Sequence, residues 1–297
     1  MTVSAVIPHR NSGPNLVRCL DALAAGNGVD EVVVVDEAST DGSVEGAAER
    51  PGVRMISSPG SGFAVAANAG IAAARGEHLL LLGSDAFVDR DTVERLACRL
   101  DENPRLAACG AALFNEDGRP SKSYSRLFTL RRALADGLGF RPRIPQSGVG
   151  LGLVEAVFPN CLLARRAALQ SVGYFDERFF FYYEDMDLCR RLARAGWKLA
   201  VDWDAHAIHV AGGSTKTPGP GRWFRQYHES RLAYLRKHYP RGWVLYAALW
   251  TAKAALHFLA WRVRALVSRL REDAAGERLA RDWAEAFRHT VLPPRPS

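Results

Sequence analysis

Residues 181 to 187, Phe-Tyr-Tyr-Glu-Asp-Met-Asp, place three carboxylates directly behind a run of bulky aromatic rings. The apolar positions that follow, as far as Gly196, have helical spacing and predict an amphipathic helix that starts near residue 184. Because a helix N-terminus stabilises negative charge, capping alone would explain Glu184, Asp185 and Asp187. A carboxylate beside an apolar wall is also suited to take a proton from a substrate, so this segment is a candidate site of proton transfer.

Carboxylates also follow two apolar runs in the first half of the chain. Asp36 and Glu37 come after the second predicted strand, and Asp85 comes after the fourth. A carboxylate after the second strand can accept a hydrogen bond from the imino N–H of uracil, thymine or guanine, a donor that adenine and cytosine lack. His209 follows a later predicted strand, although a lone histidine is more often structural than a metal ligand.

The elements that must position these residues alternate along the first half of the chain. Short apolar runs and helical patterns follow each other, which predicts an α/β fold with a mostly parallel sheet and helices on both faces. Ligands of such sheets bind at the carboxyl ends of the strands. The predicted strands are 3–8, 31–35, 53–57, 78–82, 106–113 and 198–202, and the predicted helices are 16–26, 43–49, 63–75 and 91–100.

Charge leaves several classes of function open, and the absence of known motifs argues against some of them. The chain has 297 residues, 48% of them hydrophobic, and a net charge of +7, which is compatible with nucleic acid, an anionic membrane or a phosphorylated substrate. No zinc-finger spacing, aromatic RNA-binding signature or Walker lysine loop is present, which argues against nucleic acid. The turn after the first strand lacks the glycine fingerprints of dehydrogenases and NTPases.

The N-terminal residues show no pattern of a secretion signal, which predicts a cytoplasmic protein. The five cysteines are scattered, and we expect them to be reduced thiols in the core.

The C-terminal part of the chain is predicted to be helical from about residue 222. Apolar positions three and four residues apart predict a packing seam, which Trp243, Trp250 and Trp261 would widen. Basic residues interrupt the run and argue against a membrane-spanning helix. Packing on its own domain, a homodimer contact and peripheral contact with the inner face of a membrane remain as alternatives. The seam consists of Leu249, Ala252, Leu256, Leu259, Val263 and Leu266.

Several segments spread along the chain form one ordered pattern. They are Asp36 to Asp41, Gly62-Phe63 with Asn68, Asp85, Arg165-Arg166, Gly173 with Phe175-Asp176-Glu177, Glu184 to Asp187 with Arg190 and Gly196-Trp197, and His209 with Gly212-Gly213-Ser214. Together these segments resemble the large inverting family 2 glycosyltransferases, and most closely their bacterial rhamnosyltransferase-like branch. The resemblance covers about residues 2 to 215, in order and at the expected separations, and the tail carries much less of it.

The resemblance implies a GT-A type nucleotide-sugar fold in which a divalent cation, Mn²⁺ or Mg²⁺, bridges the donor diphosphate to the protein. It implies metal ligation by Asp85 and His209 and a catalytic base at Asp185, supported by Glu184. Carboxylate oxygen suits both cations, and Mn²⁺ accepts imidazole as well. The residues implied on the nucleotide-sugar side are Pro8, Arg10, Asp36, Glu37, Asn68, Ser84 and Asp85, and those on the acceptor side are Asp187, Tyr183 and Asn160.

The extent of the resemblance and the predicted elements also suggest domain boundaries. We expect a catalytic domain at 1–220, with a nucleotide-binding half at 1–113 and an acceptor and base half at 153–220. A helical extension is expected at 221–297. Residues 115–152, rich in Gly, Pro, Arg and Ser, are predicted to form a connection rather than a second core.

Three positions depart from the family pattern. Gly83 stands where the D-x-D element usually begins with an acidic or amide residue, so one contact to ribose or metal is lost. Glu37 replaces the Asn or Asp of relatives, which puts the nucleotide preference in question. Asn160-Cys161 replaces a small Gly-Ala pair before Arg165, which is expected to reshape the acceptor side.

The sequence therefore predicts an inverting transferase that moves a sugar from a nucleoside-diphosphate sugar, with deoxythymidine-diphosphate rhamnose as one candidate. The acceptor is a hydroxyl of a glycan, a lipid-linked substrate or a natural product. The alternative is a non-catalytic nucleotide-sugar-binding or assembly subunit. A sugar nucleotidyltransferase would need a glycine- and arginine-rich phosphate loop after the first strand, and only Arg10 and Gly13 are present there.

Overall fold

The computed structural model describes residues 2–137, 143–210 and 219–291. The chain divides into two compact units. The first unit comprises Met1–Leu127, Ile144–Phe180 and Glu184–Lys216, and the second comprises Phe128–Arg143, Phe181–Tyr183 and Thr217–Ser297. Two segments distant from the C-terminus therefore group with the helical tail. A catalytic domain that ends at residue 220 stays a prediction.

The predicted alternation of strands and helices is present, with bounds that differ from the sequence prediction by a few residues at most in the N-terminal half. The strands are β1 (Val3–His9), β2 (Glu31–Asp36), β3 (Val53–Ser57), β4 (His78–Leu82), β5 (Ala86–Val88), β6 (Leu106–Phe114), β7 (Tyr124–Ser125), β8 (Leu151–Val154), β9 (Ala156–Val157), β10 (Cys161–Arg165) and β11 (Lys198–His209). The helices are α1 (Pro14–Ala25), α2 (Glu45–Ala48), α3 (Phe63–Ala73), α4 (Thr92–Glu102), α5 (Leu130–Gly137), α6 (Arg166–Val172), α7 (Glu184–Arg194), α8 (Gly219–His238), α9 (Trp243–Leu270) and α10 (Ala274–Val291).

Within the described ranges, nine strands form one sheet in the order β3-β2-β1-β4-β10-β6-β11-β5, with β8 also paired to β11. The first four strands are mutually parallel, as are β6 and β11, whereas β10, β5 and β8 pair in the antiparallel sense. The predicted α/β architecture, a mostly parallel sheet with helices, is confirmed. The antiparallel β10 lies between β4 and β6.

Apolar runs account for the centre of this sheet. Every residue of β1 and β4 is buried, because central strands are covered on both faces. Helix α1 buries Leu16, Cys19, Leu20 and Leu23, and each fully buried leucine contributes about 1.5–3 kcal/mol relative to exposure. Of the five cysteines, Cys98 is exposed, so the prediction of core thiols is wrong at that position.

The direction of β10 matters for the position of polar groups. Because β10 runs antiparallel to β4, its first residue pairs with the last residue of β4, Cys161 with Leu82. The N-terminal end of β10 therefore lies at the same edge of the sheet as the carboxyl end of β4. At β11, His209 pairs with Ala86 at the start of β5. Three chain segments with candidate site residues thus meet along one edge.

Residues 115–152 contain more regular structure than the sequence predicts. Short strands β7 and β8 and helix α5 fall in or at the end of this segment, and β7 pairs with β9 in a second small sheet. Gly148 and Gly152 lie against the indole of Trp203, where an added Cβ would collide with the ring. The glycines are therefore required by close packing, a reason that glycine spacing alone does not reveal.

In the second unit, α9 packs along α10 and also contacts α8 and α5. Its buried residues are Tyr246, Trp250, Ala254, Ala265 and Ser268. The predicted packing seam is wrong for the described chain, because Leu256 is 71% exposed and Leu259 is 62% exposed. Leu249, Val263 and Leu266 are exposed as well. The predicted widening by tryptophan is also wrong for Trp250, which is buried and stacks on His228.

Candidate active site

The carboxyl edge of the sheet brings together two residues that the sequence predicts as metal ligands. An oxygen of Asp85 lies 3.6 Å from Nε2 of His209, and both side chains are largely buried. The backbone fixes the pair, since the Val210 N–H donates to the Asp85 carbonyl at 3.0 Å. The β5–β11 pairing holds His209 opposite Ala86. Gly212, Gly213 and Ser214 lie outside the described residues.

Asn160 joins this pair, although the sequence predicts it on the acceptor side. Its Nδ2 lies 2.9 Å from Nε2 of His209. In this orientation the amide NH₂ donates and Nε2 accepts, so Nε2 carries the lone pair that a metal ligand needs. The Asn160 carbonyl accepts a hydrogen bond from the Gly83 N–H at 3.0 Å, which fixes its backbone beside the turn that carries Asp85.

The groups at this edge fit Mn²⁺ or Mg²⁺ by type. A carboxylate oxygen suits both cations, and Mn²⁺ also accepts an imidazole nitrogen such as Nε2 of His209, once the N–H of Asn160 leaves its lone pair. Two ligands at neighbouring corners of an octahedron with bonds of about 2.1 Å lie about 3 Å apart, close to the observed separation. Among the described residues, no group of three or more His, Cys, Asp and Glu side chains is arranged to hold a metal. The edge thus offers two such ligands, with Asn160 beside them.

The carboxylates after β2 both make local contacts. Asp36 accepts hydrogen bonds from the backbone N–H and the hydroxyl of Ser39, the latter at 2.5 Å. Glu37 accepts a hydrogen bond from the Gly62 N–H at 2.8 Å, at the N-terminus of α3. Burial is the main cause that raises the pKa of Glu37. Both residues therefore shape the loops around the predicted nucleotide site.

Four other residues predicted on the nucleotide-sugar side lie in different environments. Pro8 is buried in β1, Ser84 is buried in the turn before Asp85, and Arg10 is exposed. The amide of Asn68 donates to the Phe175 carbonyl and accepts from the Phe175 N–H, so it ties α3 to the loop after α6. These contacts give Asn68 a structural function in the first unit.

Sequence reasoning assigned no function to His9, which the structure places inside the same loops. It is buried at the end of β1, and its two ring nitrogens hydrogen-bond the hydroxyls of Ser43 (2.8 Å) and Ser12 (2.7 Å). Burial lowers the pKa of His9, so the ring is neutral near pH 7. His9 thus connects the turns after β1 and β2. Its position in Pro8-His9-Arg10, at the end of a buried strand, was the only signal in the sequence.

The carboxylates of residues 184 and 185 begin α7, as predicted. Burial raises the pKa of Asp185 to about 6, while a hydrogen bond from the Met186 N–H acts in the opposite direction. Glu184 is buried, one of its oxygens has no hydrogen-bond partner, and burial next to Asp185 raises its pKa well above the usual range. Asp185 lines a small apolar cavity together with Pro159, the residue before Asn160.

Two residues predicted on the acceptor side have buried contacts. Asp187 is fully buried and pairs with Arg191 at 2.7 Å, and Arg191 in turn donates to the carbonyls of Val172 and Tyr174. Tyr183 is buried in the second unit, where its hydroxyl lies 3.1 Å from that of Tyr227. These contacts are structural in kind.

The backbone before α7 is unusual. Tyr182 and Tyr183 both have a φ of 69°, in the left-handed region that large side chains rarely adopt. Two such residues in succession cost of order 1–3 kcal/mol each and persist only where the surroundings enforce them. Strained backbone of this kind clusters at functional sites, and here it directly precedes Glu184 in the chain.

Comparison with known proteins identifies the family. The family model described as "Glycosyl transferase family 2" matches residues 4–173. The chain belongs to glycosyl transferase family 2. It is 30% identical over 271 residues to the N-acetylglucosaminyl-diphospho-decaprenol L-rhamnosyltransferase of Mycobacterium tuberculosis, covering 82% of this chain and 87% of that protein. It is therefore a rhamnosyltransferase-like member of the family, and a glycosyltransferase that acts on a nucleotide sugar.

Solved structures agree with this assignment at the level of the fold. The mannosyltransferase of Pyrobaculum calidifontis, solved with GDP-Man and Mn²⁺, aligns with a TM-score of 0.55 at 18% identity, over 99% of this chain and 88% of that one. TarS of S. aureus, solved with UDP-GlcNAc, aligns with a TM-score of 0.52 at 17% identity, over 97% and 92%. The GT-A fold predicted for this family 2 glycosyltransferase is confirmed.

Proposed function

We propose that this glycosyltransferase is an inverting, divalent-cation-dependent enzyme of the hexosyltransferase class. It would move L-rhamnose from deoxythymidine-diphosphate rhamnose to a hydroxyl of a lipid-linked acceptor. The observation that carries the proposal is the Asp85–His209 pair at the strand edge, with 3.6 Å between its ligand atoms. The donor sugar and the lipid-linked acceptor are suggested by the name of the relative that is 30% identical to this chain.

The proposed reaction breaks the bond between the anomeric carbon and the diphosphate and forms a bond from the acceptor oxygen to that carbon. The acceptor hydroxyl attacks from the face opposite the diphosphate, and its proton passes to Asp185. A pKa of about 6 suits this step, because the carboxylate is ionised at neutral pH and remains basic enough to accept a proton. Burial favours the protonated form of Glu184, and in that form Glu184 adds no second negative charge beside Asp185.

Asp85 and His209 are the residues that would hold the cation. A bound Mn²⁺ or Mg²⁺ stabilises negative charge on a leaving diphosphate. On the donor side, the exposed guanidinium of Arg10 at the end of β1 supplies positive charge for phosphate oxygens. Glu37, with one oxygen held by Gly62, would read the imide of thymine. Burial favours the protonated form of Glu37, and thymine recognition then requires its deprotonation or its remaining carboxyl oxygen as acceptor.

The lipid-linked acceptor is supported by α9 in the second unit. At 100° per residue, eight of its exposed Leu and Val residues form one stripe opposite the buried face, without a charged residue in it, and the exposed Val244 lies outside the stripe. Lys253 and Arg264 flank one edge of the stripe, and Arg262 and Arg269 flank the other. Helix α9 contains no acidic residue. We therefore propose that this face, the α9 stripe, rests on an anionic membrane surface. The stripe consists of Leu245, Leu249, Leu256, Leu259, Val263, Leu266, Val267 and Leu270.

The charge distribution favours a membrane over a second copy of the chain. Residues 217–297 contain 15 of the 39 Lys and Arg and 6 of the 32 Asp and Glu, so the net charge is +9 there and −2 in the remainder. Two copies that met through α9 would bring like charges together, whereas anionic lipid headgroups neutralise them. By length and composition alone, α9 is the one described helix that is able to cross a membrane. Its packing along the charged helix α10 favours a surface position on the inner face of the membrane.

Vesicle sedimentation tests the membrane contact. The protein should bind phosphatidylglycerol-containing vesicles at low salt, release them at high salt, and bind pure phosphatidylcholine weakly. The double variant Leu256→Gln, Leu259→Gln should lose binding, whereas Leu153→Gln, an equally exposed leucine of the first unit, should retain it. A dimer in analytical ultracentrifugation that leaves the vesicles unbound and is broken by the same double variant would contradict the proposal.

A transfer assay tests the reaction and separates it from the alternative of a non-catalytic binder. Purified protein with Mn²⁺ is offered a panel of nucleoside-diphosphate sugars and a short-chain lipid diphosphate acceptor. We expect turnover with the rhamnose donor and a product whose anomeric configuration is opposite to that of the donor. Donor-dependent thermal stabilisation with no turnover on any acceptor would favour the binding subunit. Retention of configuration would contradict the inverting mechanism.

A further inference from the structure

The proposed cation site lacks a side chain at position 83, where the family pattern usually has an acidic or amide residue. Asp85 and His209 supply one oxygen and one nitrogen, and the position two residues before Asp85 is Gly83, which has no side chain. No further His, Cys, Asp or Glu completes a metal-binding group within the described part of the chain. A hard divalent cation takes six or more ligands, mostly oxygen, so an additional protein oxygen at this point would strengthen binding.

The side chain of Asn160 lies next to the space that a residue at position 83 would occupy. A Cβ built on Gly83 would lie 3.8 Å from Nδ2 of Asn160 and 2.9 Å from an oxygen of Asp85. The same Nδ2 is 2.9 Å from Nε2 of His209. The Asn160 amide therefore lies in the immediate surroundings of both predicted ligands, where a side chain at position 83 is missing.

The backbone of Asn160 is fixed, and its amide is the group that can adjust. The Gly83 N–H donates to the Asn160 carbonyl, and Cys161 pairs with Leu82 in the sheet. Rotation of the terminal amide by half a turn exchanges its nitrogen and oxygen without moving other atoms. Such a rotation would place the amide oxygen where the amide nitrogen now lies, 2.9 Å from Nε2 of His209. Asparagine side-chain oxygen is an established ligand type for hard divalent cations.

We propose that Asn160 is a third protein ligand of the cation, and that its amide oxygen substitutes for the group lost at Gly83. This inference rests on the proposed cation dependence. Without the cation, the Asn160 amide donates to the Nε2 lone pair of His209 and keeps that nitrogen unprotonated. With the cation bound, the amide turns and contributes its oxygen. The residue that replaces the usual small glycine thus compensates for the departure in the D-x-D element.

Mn²⁺ affinity provides the test, since it does not require turnover. Free Mn²⁺ is measured by electron paramagnetic resonance in a titration of the whole protein with deoxythymidine diphosphate present. Asn160→Ala should weaken Mn²⁺ binding about 10-fold or more, the scale typical for loss of a residue that supports a metal. Asn160→Asp should bind Mn²⁺ at least as tightly as wild type, because a carboxylate oxygen takes the same place. Asn103→Ala, whose amide caps the remote helix α4, is the matched control and should leave the affinity unchanged.

Three outcomes separate the possible failures. Equal Mn²⁺ affinity of wild type and Asn160→Ala, with a raised KM for the acceptor, would overturn the inference and return Asn160 to the acceptor side. Equal affinity of wild type, Asp85→Asn and His209→Ala would overturn the cation site itself and with it the proposed function. If Asn160→Ala melts at a lower temperature than wild type in the presence of a chelator, its Mn²⁺ affinity reflects a damaged fold, and Asn160→Asp is used in its place. Weaker Mn²⁺ binding by Asn160→Asp than by wild type would overturn the inference.

Discussion

Nε2 of His209 lies 3.6 Å from an oxygen of Asp85, at the point where β11 pairs with the start of β5. The two residues are far apart in the sequence, and the antiparallel pairing of a three-residue strand brings them together. Mutation of either residue therefore removes a proposed ligand without removing an apolar side chain of the core.

Asp85→Asn and His209→Ala should each weaken Mn²⁺ binding by at least about 10-fold, because each removes a proposed ligand. Isothermal titration calorimetry with Mn²⁺ measures the effect. The chain provides a matched control in the exposed pair His206 and Asp89, whose ring nitrogen and carboxylate lie 3.8 Å apart. Asp89→Asn and His206→Ala should leave Mn²⁺ affinity unchanged, and a similar loss in these variants would argue against a specific site.

Asp185→Asn should lower kcat by about 10²–10⁴-fold, since the variant cannot accept the proton of the acceptor hydroxyl. Donor binding should persist, and thermal stabilisation by the nucleotide sugar measures it separately. An activity equal to that of wild type would remove Asp185 as the base. Asp204→Asn, which replaces an exposed carboxylate where the pairing of β11 with β6 is irregular, should leave both quantities unchanged.

The pH profile of the wild-type enzyme should report the same group. Because burial raises the pKa of Asp185 to about 6, kcat/KM should rise as the pH passes through about 6 and the carboxylate becomes ionised. The measurement is the initial rate at low acceptor concentration across the acid and neutral range. A profile that is flat between about pH 5 and pH 7 would show that no group of this pKa controls the reaction.

The positions of the carboxylates after β2 and β4 could be predicted from the sequence, and the reason is physical. Asp36, Glu37 and Asp85 follow apolar runs, and the carboxyl ends of parallel strands meet at one edge, so their placement follows from periodicity. Asn160 could not be placed in this way, because its position depends on β10 being antiparallel and inserted between β4 and β6. Pairing direction is a long-range property that local pattern does not contain.

The same limit applies to buried polar contacts and to helix faces. The pairing of Asp187 with Arg191 has helical spacing, but the sequence did not reveal that the carboxylate is fully buried. For α9, spacing correctly predicted a helix with an apolar stripe, whereas its exposure depends on which face α10 and α8 cover. The tryptophans of α9 lie on the face that packs against the other helices, because large rings bury more area than leucines.

Asp187→Ala should lower the free energy of unfolding by about 3 kcal/mol, because it leaves the largely buried guanidinium of Arg191 without its carboxylate partner. Urea denaturation followed by circular dichroism measures the loss. Glu285→Ala breaks a surface pair with Arg288 and should cost less than about 1 kcal/mol. A loss for Asp187→Ala as small as that of the surface variant would indicate that Asp187 has another function.

Glu184→Gln should change how the free energy of unfolding depends on pH. Burial raises the pKa of Glu184 above its usual 4.5, so the folded protein keeps this proton to a higher pH than the unfolded chain does. The associated stabilisation is complete below pH 4.5 and is lost as the pH rises through the folded-state pKa. The variant lacks this titration, so its free energy of unfolding relative to wild type should increase as the pH rises above 4.5.

Urea unfolding at several pH values provides the comparison for Glu184→Gln. The control is Glu94→Gln, which replaces an exposed glutamate on α4 and should keep a constant difference from wild type. A constant difference for Glu184→Gln as well would mean that Glu184 is ionised in the folded protein over this range.

The central claim is that the sheet edge around Asp85 and His209 holds the cation that binds the donor diphosphate. Anomalous diffraction from crystals grown with Mn²⁺ and deoxythymidine diphosphate tests it most directly. The account predicts one strong anomalous peak within bonding distance of Asp85 and His209, about 2.2 Å from each ligand atom, and next to the diphosphate. A peak that is bound to the diphosphate but remote from both side chains would contradict it.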